Sequence, residues 1–596
     1  MQEYRLALAQ QRTKSLVKNR LYIPNPKGHR LFNSSLLNPV KFIITLALLV
    51  LIQSAHGQTV RDDVGYTALL DQMGAGTPNG AGIAIGIIEP AFAGKDNPDI
   101  TAWLPYPDIS DISQVTLRDA SGGSTADSTH SARVSQFLFG QSDGLATGIA
   151  EANYYSLSDF IYNKLVPLTN YVGTLQPSAF LYSLGAKVFE NRINNISAIS
   201  SDADNNATLL RRFDWATAHE DVINSISAGN SSLSPTLFSS SYNSIYIGIT
   251  AGSSGKRAAS IDNIYSGLRQ RPDVVTPMRN SSRGTATASS ITSVLLETAR
   301  DAAATLSNVS PSNTQVLTRN AEKSEVMKAV LMAGADRKTS NTRINSIPRD
   351  EAGERISGEP EYIADITNYR AAGYATSNGL DSRFGAGQAN VHKSHQILTG
   401  GEQDSQEDGG NTSVSLLGFD YDEAFGNGAG DANPNSVASY LLPTLTRDAN
   451  LDVTLAWNLD VYSGDGLFVN ALLYDLDLWL YDVTDDAEVL VNASLSSVDN
   501  TETISQLLSA GRDYEFRVTT EKNVTALLWD YGIAWRVDQE SDTLAAPLTL
   551  ESPQMSPSAL SFSASSVPIP SSLFLFITGL FALVVKKHAR QVRSKQ

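Results

Sequence analysis

Residues 82–89 read Gly-Ile-Ala-Ile-Gly-Ile-Ile-Glu. Apolar residues follow one another here without the alternation of a half-exposed strand, as expected for a strand buried on both faces. The run ends on a carboxylate, Glu89. Further along, 221–228 (DVINSISA) and 245–250 (IYIGIT) repeat the pattern of short apolar runs separated by polar segments. Residues 285–306 contain no Gly or Pro and are rich in small and apolar side chains, which predicts one long, largely buried helix. Short buried strands alternating with helices define an α/β fold.

The chain has 596 residues, more than one hydrophobic core usually serves, so two or more domains are expected. With 42% hydrophobic and 18% charged residues it is globular rather than disordered. The formal charge is −17, unevenly placed. Of 45 basic and 62 acidic residues, 13 basic and one acidic lie in 1–57 and 586–596, so the body carries −29. A body so acidic repels a phosphate backbone and excludes nucleic acid as a partner. The absence of cysteine excludes disulfides, thiolate metal sites and cysteine catalysis.

Both ends carry export signals. The apolar stretch 42–52 (FIITLALLVLI) follows Lys41 and precedes Ala55-His56-Gly57, the order of a secretory signal peptide and too short for a stable span. Residues 1–57 are therefore set apart as an N-terminal extension and signal peptide. At the other end a Ser/Pro-rich linker (546–566) leads to Val567-Pro568-Ile569-Pro570, an apolar helix at 573–585 and a basic stop at Lys586, Lys587 and Arg590. That order makes a terminal sorting or anchoring signal with a transmembrane segment. It resembles the PEP-CTERM signals of Gram-negative bacteria that exosortases cut, although a plain single-span anchor fits the same pattern. The implied location is the cell envelope, cell surface or extracellular matrix, with an exosortase-type sorting protease and the membrane as partners.

Beyond about residue 410 the texture changes. A Gly/Asn-rich segment, 426–435 (GNGAGDANPN), gives way to runs of period two at 452–457 (DVTLAW) and 475–480 (DLDLWL), and 531–537 (YGIAWRV) closes the set. These predict half-buried antiparallel sheet. The expected organisation is a catalytic domain at 58–405, a linker at 406–436, an all-β sandwich at 437–545, the second linker, and the sorting segment at 567–596.

A serine nucleophile needs a base for its proton, a carboxylate to orient that base, and donors for the oxyanion. The body has only four histidines, at 130, 219, 392 and 395. His219, His392 and His395 read as ordinary polar helix positions. His130 stands in Thr129-His130-Ser131-Ala132-Arg133-Val134 and opens an apolar helix ending at Gly140. Small residues beside it let a substrate approach the ring, although the spacing alone fits a surface histidine at a helix start equally well.

The run around His130 resembles the histidine motif of the subtilisin-like serine proteases (subtilases). There the catalytic histidine starts a helix and is followed by Gly-Thr-His, where this chain has Ser131-Ala132-Arg133. The 82–89 run resembles the family's first strand, which ends in the catalytic aspartate; here Glu89 stands in its place, one methylene longer. Ile226-Ser227-Ala228-Gly229-Asn230 resembles the strand whose asparagine donates to the oxyanion, although Gly-Asn also suits any turn. Ser183-Leu184-Gly185 resembles the substrate-binding strand. Two registers compete for the nucleophile. Gly284-Thr285-Ala286 looks like the family's Gly-Thr-Ser and would leave alanine there. Ser282 is preferred, because Pro272-Asp273-Val274-Val275-Thr276-Pro277 then precedes it as in the family, and the other register would bury Arg300 on an apolar turn. Segments 328–335 and 383–390 resemble those that close the domain.

The resemblance covers about 80–400. It implies a mostly parallel sheet flanked by helices and an exported serine endopeptidase acting on peptide or protein substrates, with Glu89, His130 and Ser282 catalytic and Asn230 at the oxyanion. The replaced flank of His130, the longer carboxylate and Ala286 in place of the family's proline admit another reading: an inactive protein that keeps the fold as a surface-binding or matrix component. No metal ligand set is expected. Calcium stabilises members of the family, and Asp420, Asp422 and Glu423 form an acidic stretch, but their spacing matches no specific site.

Overall fold

The computed structural model describes residues 59–538, apart from 94–100, 166–186, 199–206, 231–237, 251–257, 262–264, 302–306, 312–316, 339–365, 427–434, 463–469, 521–527 and a few single positions and pairs. The expected signal peptide, sorting segment and Ser183–Gly185 strand lie outside the described residues. Among those described, no helix is long and apolar enough to cross a membrane.

The apolar runs form the centre of a seven-stranded parallel sheet. Its strands are β1 (Ala84–Glu89), β2 (Thr116–Asp119), β3 (Glu151–Ser156), β4 (Ile193–Ile196), β5 (Ile223–Ser227), β6 (Ile245–Ile249) and β7 (Val274–Thr276). They lie in the order β2-β3-β1-β4-β5-β6-β7, every neighbouring pair parallel. The chain enters at β1, passes to the edge strand β2, fills the gap between them with β3, and then crosses to build the other side. Such a reversal opens a crevice at the carboxyl ends of the strands around β1, where open α/β sheets hold their ligands. Glu89 is the last residue of β1 and stands at that crevice.

Helices cover the sheet: α1 (Tyr66–Met73), α2 (Thr129–Phe139), α3 (Ala207–His219), α4 (Ser281–Asp301), α5 (Ser324–Ala333) and α6 (Val391–Gly400). The long α4 runs through the interior and packs on β4, β5, β6 and β7 and on α2, α5 and α6. It starts four residues before the expected 285 and is described to 301, since Asn280 caps its start by accepting the N–H of Arg283 at 3.0 Å.

The C-terminal sandwich begins earlier than the sequence suggests. The supposed linker 406–436 contains β8 (Leu417–Gly426), a ten-residue strand. Its Phe419 and Tyr421 point into the core on alternate positions. Three acids in the same stretch give it the look of a loop. With β9 (Val437–Leu441), β10 (Ala449–Ala456), β11 (Leu476–Asp482), β12 (Val489–Ser494), β13 (Thr501–Leu508), β14 (Tyr514–Thr520) and β15 (Leu528–Asp538) it forms two sheets. One runs β8-β15-β10-β13 and the other β9-β14-β11-β12, with two short strands added at β9.

The halves are not independent beads. Helix α5 packs on β15 and β10, and Phe419, Tyr421, Ala456 and Ala534 belong to the same core cluster as the parallel sheet. At Gly532 on β15 an added Cβ would stand 2.5 Å from the backbone nitrogen of Val326, so strand and helix touch backbone to backbone. The Asn243 side chain accepts the Leu459 N–H at 2.7 Å and donates to its carbonyl at 2.9 Å. Asn500 donates across to the Tyr242 carbonyl at 2.9 Å. The N-terminal half ending at residue 405 is therefore expected to show no cooperative unfolding transition alone, whereas 59–538 unfolds in one. Calorimetry of both pieces decides, and a sharp transition from the shorter piece would show that the shared core is dispensable.

His395, which reads as a polar helix position, is buried on α6 with neither ring nitrogen hydrogen-bonded among the described residues. Burial pushes its pKa down from 6.5 to about 4, with His392 adding to the effect. Below pH 6.5 the unfolded chain takes the proton first, so this group removes stability as pH falls toward 4. The full effect is about 3 kcal/mol at 1.36 kcal/mol per unit. Urea midpoints followed from pH 7 to 4 should fall less steeply in His395→Leu than in the parent; parallel slopes would contradict it.

Candidate active site

Three chain segments far apart in sequence meet at the crevice. β1 delivers Glu89, wholly buried at its last position. α2 delivers His130 from its first turn, where Ser128 caps the helix by accepting the Ser131 N–H at 3.2 Å. α4 delivers Ser282 as its second residue.

His130 Nε2 lies 3.0 Å from Ser282 Oγ, and His130 Nδ1 hydrogen-bonds Glu89 Oε2. Nδ1–H donating to a carboxylate leaves Nε2 as the acceptor that faces the serine hydroxyl, the tautomer a general base requires. Ser131 Oγ donates to the same Glu89 oxygen at 3.2 Å. Glu89 Oε1 is buried and has no hydrogen-bond partner among the described residues. Both side chains are nearly shielded from solvent: His130 is 5% exposed and Ser282 8%. Burial strengthens each of these contacts relative to bulk water.

Asn230 follows β5 and reaches the start of α4. Its Oδ1 accepts the Ser281 N–H at 2.8 Å and the Ser281 hydroxyl at 3.1 Å. A backbone donor on Oδ1 fixes the amide orientation and leaves Nδ2 as the end available to another acceptor. Ser282 itself lies in the first turn of α4, where N–H groups have no intrahelical partner and the helix dipole favours negative charge. The structure thus brings together Glu89, His130, Ser282 and Asn230. The competing Gly284-Thr285-Ala286 register puts Ala286 in the hydrophobic core, away from the histidine.

Sequence reasoning passed over Ser131, seen only as a departure from a motif; its hydroxyl beside a strand-end carboxylate was the available signal. Gly284 also takes on a meaning. An added Cβ there would lie 2.7 Å from Thr276 Oγ1 and 2.8 Å from a methyl of Ile249, so glycine lets the start of α4 nest on the ends of β6 and β7.

The acidic stretch divides. Asp420 joins Glu402 and Asp404, whose oxygens lie within 4.8 Å of one another, while Asp422 and Glu423 do not belong to the group. Burial raises the pKa of both Glu402 and Asp420. Protein donors already serve them: Asn320 and the Asn308 N–H on Glu402, Tyr440 and the Ser405 N–H on Asp420.

No protein-family model matches the sequence, and no curated protein matches it. Among solved structures the chain is similar to tripeptidyl peptidase 2, at 10% identity over 68% of this chain and 40% of that one, with a TM-score of 0.26. It is also similar to MycP1 from Mycobacterium smegmatis, at 11% identity over 57% and 86% of the two chains, TM-score 0.29. A third likeness is to the pre-peptidase C-terminal domain of a Bacillus anthracis collagenase, at 12% identity over 22% and 100%, TM-score 0.15.

Gly284→Ala weighs two opposed effects. Alanine gains about 0.5–1 kcal/mol of helix propensity, but overpacking costs about 1–3 kcal/mol. A net loss of stability is expected, read as a lower denaturant midpoint at unchanged slope. A higher midpoint would mean that the start of α4 can lift from the strand ends freely.

Proposed function

We propose that the chain is an exported serine endopeptidase. The observation that carries this is the buried relay from Ser282 Oγ through His130 to Glu89, set beside an asparagine amide locked by the helix that bears the serine. In this reading Ser282 Oγ attacks the carbonyl carbon of the scissile bond while His130 Nε2 takes its proton. The tetrahedral oxyanion forms against Asn230 Nδ2 and the Ser282 N–H. The imidazolium, held by Glu89, then protonates the departing amine, and water hydrolyses the acyl-enzyme by the same steps in reverse.

Export rests on sequence alone: the apolar stretch after Lys41, and the Pro motif, apolar run and basic stop at the other end. The same reading makes an exosortase-type protease and the membrane its partners in sorting, and a peptide or protein its substrate. Calcium is not required by the proposed chemistry. The inactive, surface-binding alternative draws on Glu89 and Ser131-Ala132-Arg133, but no contact at the site favours it.

A fluorophosphonate probe tests the reading without knowledge of the substrate. Labelling of the peptide holding Ser282, abolished in Ser282→Ala and His130→Ala, is the expected result. Asn230→Ala should lower kcat on a cleaved substrate by about 10²–10³, the usual cost of one oxyanion donor. Failure of the folded protein to label, under conditions that label an active control, would sink the enzyme and leave the binding role.

A further inference from the structure

Glu89 has one more rotatable bond than an aspartate at the same strand end, and it is wholly buried. A carboxylate that can swing is a poor guide for an imidazole, because misorientation of the base is costly to rate. Only one of its oxygens is used. Oε2 accepts from both His130 Nδ1 and Ser131 Oγ, while Oε1 has no partner among the described residues. The Ser131 hydroxyl is therefore the one further donor on this carboxylate among the hydrogen bonds described.

Ser131 is itself held firmly. Its N–H rests on Ser128 Oγ at 3.2 Å, and its carbonyl accepts the Ser135 hydroxyl at 2.6 Å. Ser135 Oγ in turn meets Tyr154 OH at 2.6 Å, tying the turn to β3. Serines in helices commonly turn back onto the carbonyl one turn earlier, as Ser135 does onto Ser131. Ser131 instead reaches across to another element. Being adjacent on the first turn of α2, His130 and Ser131 close on one carboxylate oxygen from a single rigid piece of backbone.

We propose that Ser131 is a positioning residue, whose hydroxyl fixes the Glu89 side chain so that the longer carboxylate can orient His130. The proposal rests on the protease reading above. The readout is the second-order rate at which a fluorophosphonate labels Ser282 in the folded chain, compared with melting temperature. Ser131→Ala and the nearly isosteric Ser131→Cys, a weak donor, should label 10- to 100-fold more slowly at a melting temperature close to that of the parent. Ser131→Thr, which keeps the hydroxyl, should restore the rate to within about threefold.

A double-mutant cycle separates positioning from general support of the fold. With the acceptor removed in Glu89→Ala, Ser131→Ala should cost less than twofold more. A parent that labels while both Ser131→Ala and Ser131→Cys label within twofold of it would overturn the proposal alone. So would an equal loss from Ser131→Ala with and without Glu89. A parent that does not label at all overturns the protease reading, and the role of Ser131 falls with it.

Discussion

The constraint on which the structure depends is that α4 must lie inside the protein. Between Gly284 and Leu296 every residue is buried, yet nearly half of the helix is Ser and Thr. Buried hydroxyls are tolerable only when satisfied. Thr285, Thr287, Ser293 and Thr298 donate back one turn to Ser281, Arg283, Ser289 and Val294. Ser290 donates to the Leu138 carbonyl and accepts the N–H groups of Leu145 and Ala146, fastening α4 to the segment that follows α2. Small side chains let the backbone approach sheet and helices closely, and the chain itself supplies these partners; the Ser289 hydroxyl is the buried exception, without a partner among the described residues. Larger apolar residues would hold the surrounding layers apart.

That burial determines what the site can be. Ser282 and His130 stand on the first turns of two helices that pack together, so their separation is set by helix packing rather than by loops. Glu89 comes from the central strand beneath them, bonded to strands on both sides. The sandwich contributes no residue to this constellation but closes the core from the far side through α5. Two asparagine clasps, Asn243 on the sheet side and Asn500 on the sandwich side, bind backbone groups across the junction. Stability of the site and attachment of the sandwich are thus one problem in packing.

Much of this is legible in the sequence because the signals are strong and local. A continuous apolar run such as 82–89 can hardly be anything but an inner strand, and a long stretch of small residues without Gly or Pro points to a buried helix. The features that escape depend on partners distant in the chain. Nothing within Leu417–Gly426 says that Asp420 will find Tyr440 and be buried, so the acids make the strand resemble a loop. His395 looks polar because histidine usually is; its burial follows from where α6 packs. Asn230 suits any turn, and nothing near it in the sequence says that Ser281 will hold its carbonyl end. Gly284 misleads most, for it imitates a catalytic motif while serving as clearance against Thr276 and Ile249.

The departures around His130 are best weighed together. Counted separately, glutamate for aspartate and serine for glycine are two losses from a catalytic motif, and each would argue for a retired enzyme. In the folded chain they meet at one oxygen, Glu89 Oε2. The longer carboxylate adds a rotor, and the new hydroxyl supplies a donor that restrains it. The uncompensated remainder is Oε1, a buried acceptor without a partner among the described residues, and leaving it so costs stability. Among the described residues Oε2 is the oxygen of Glu89 that has partners, shared by the imidazole and the serine hydroxyl. A substitution that looks like decay in a motif is, in space, half of a matched pair.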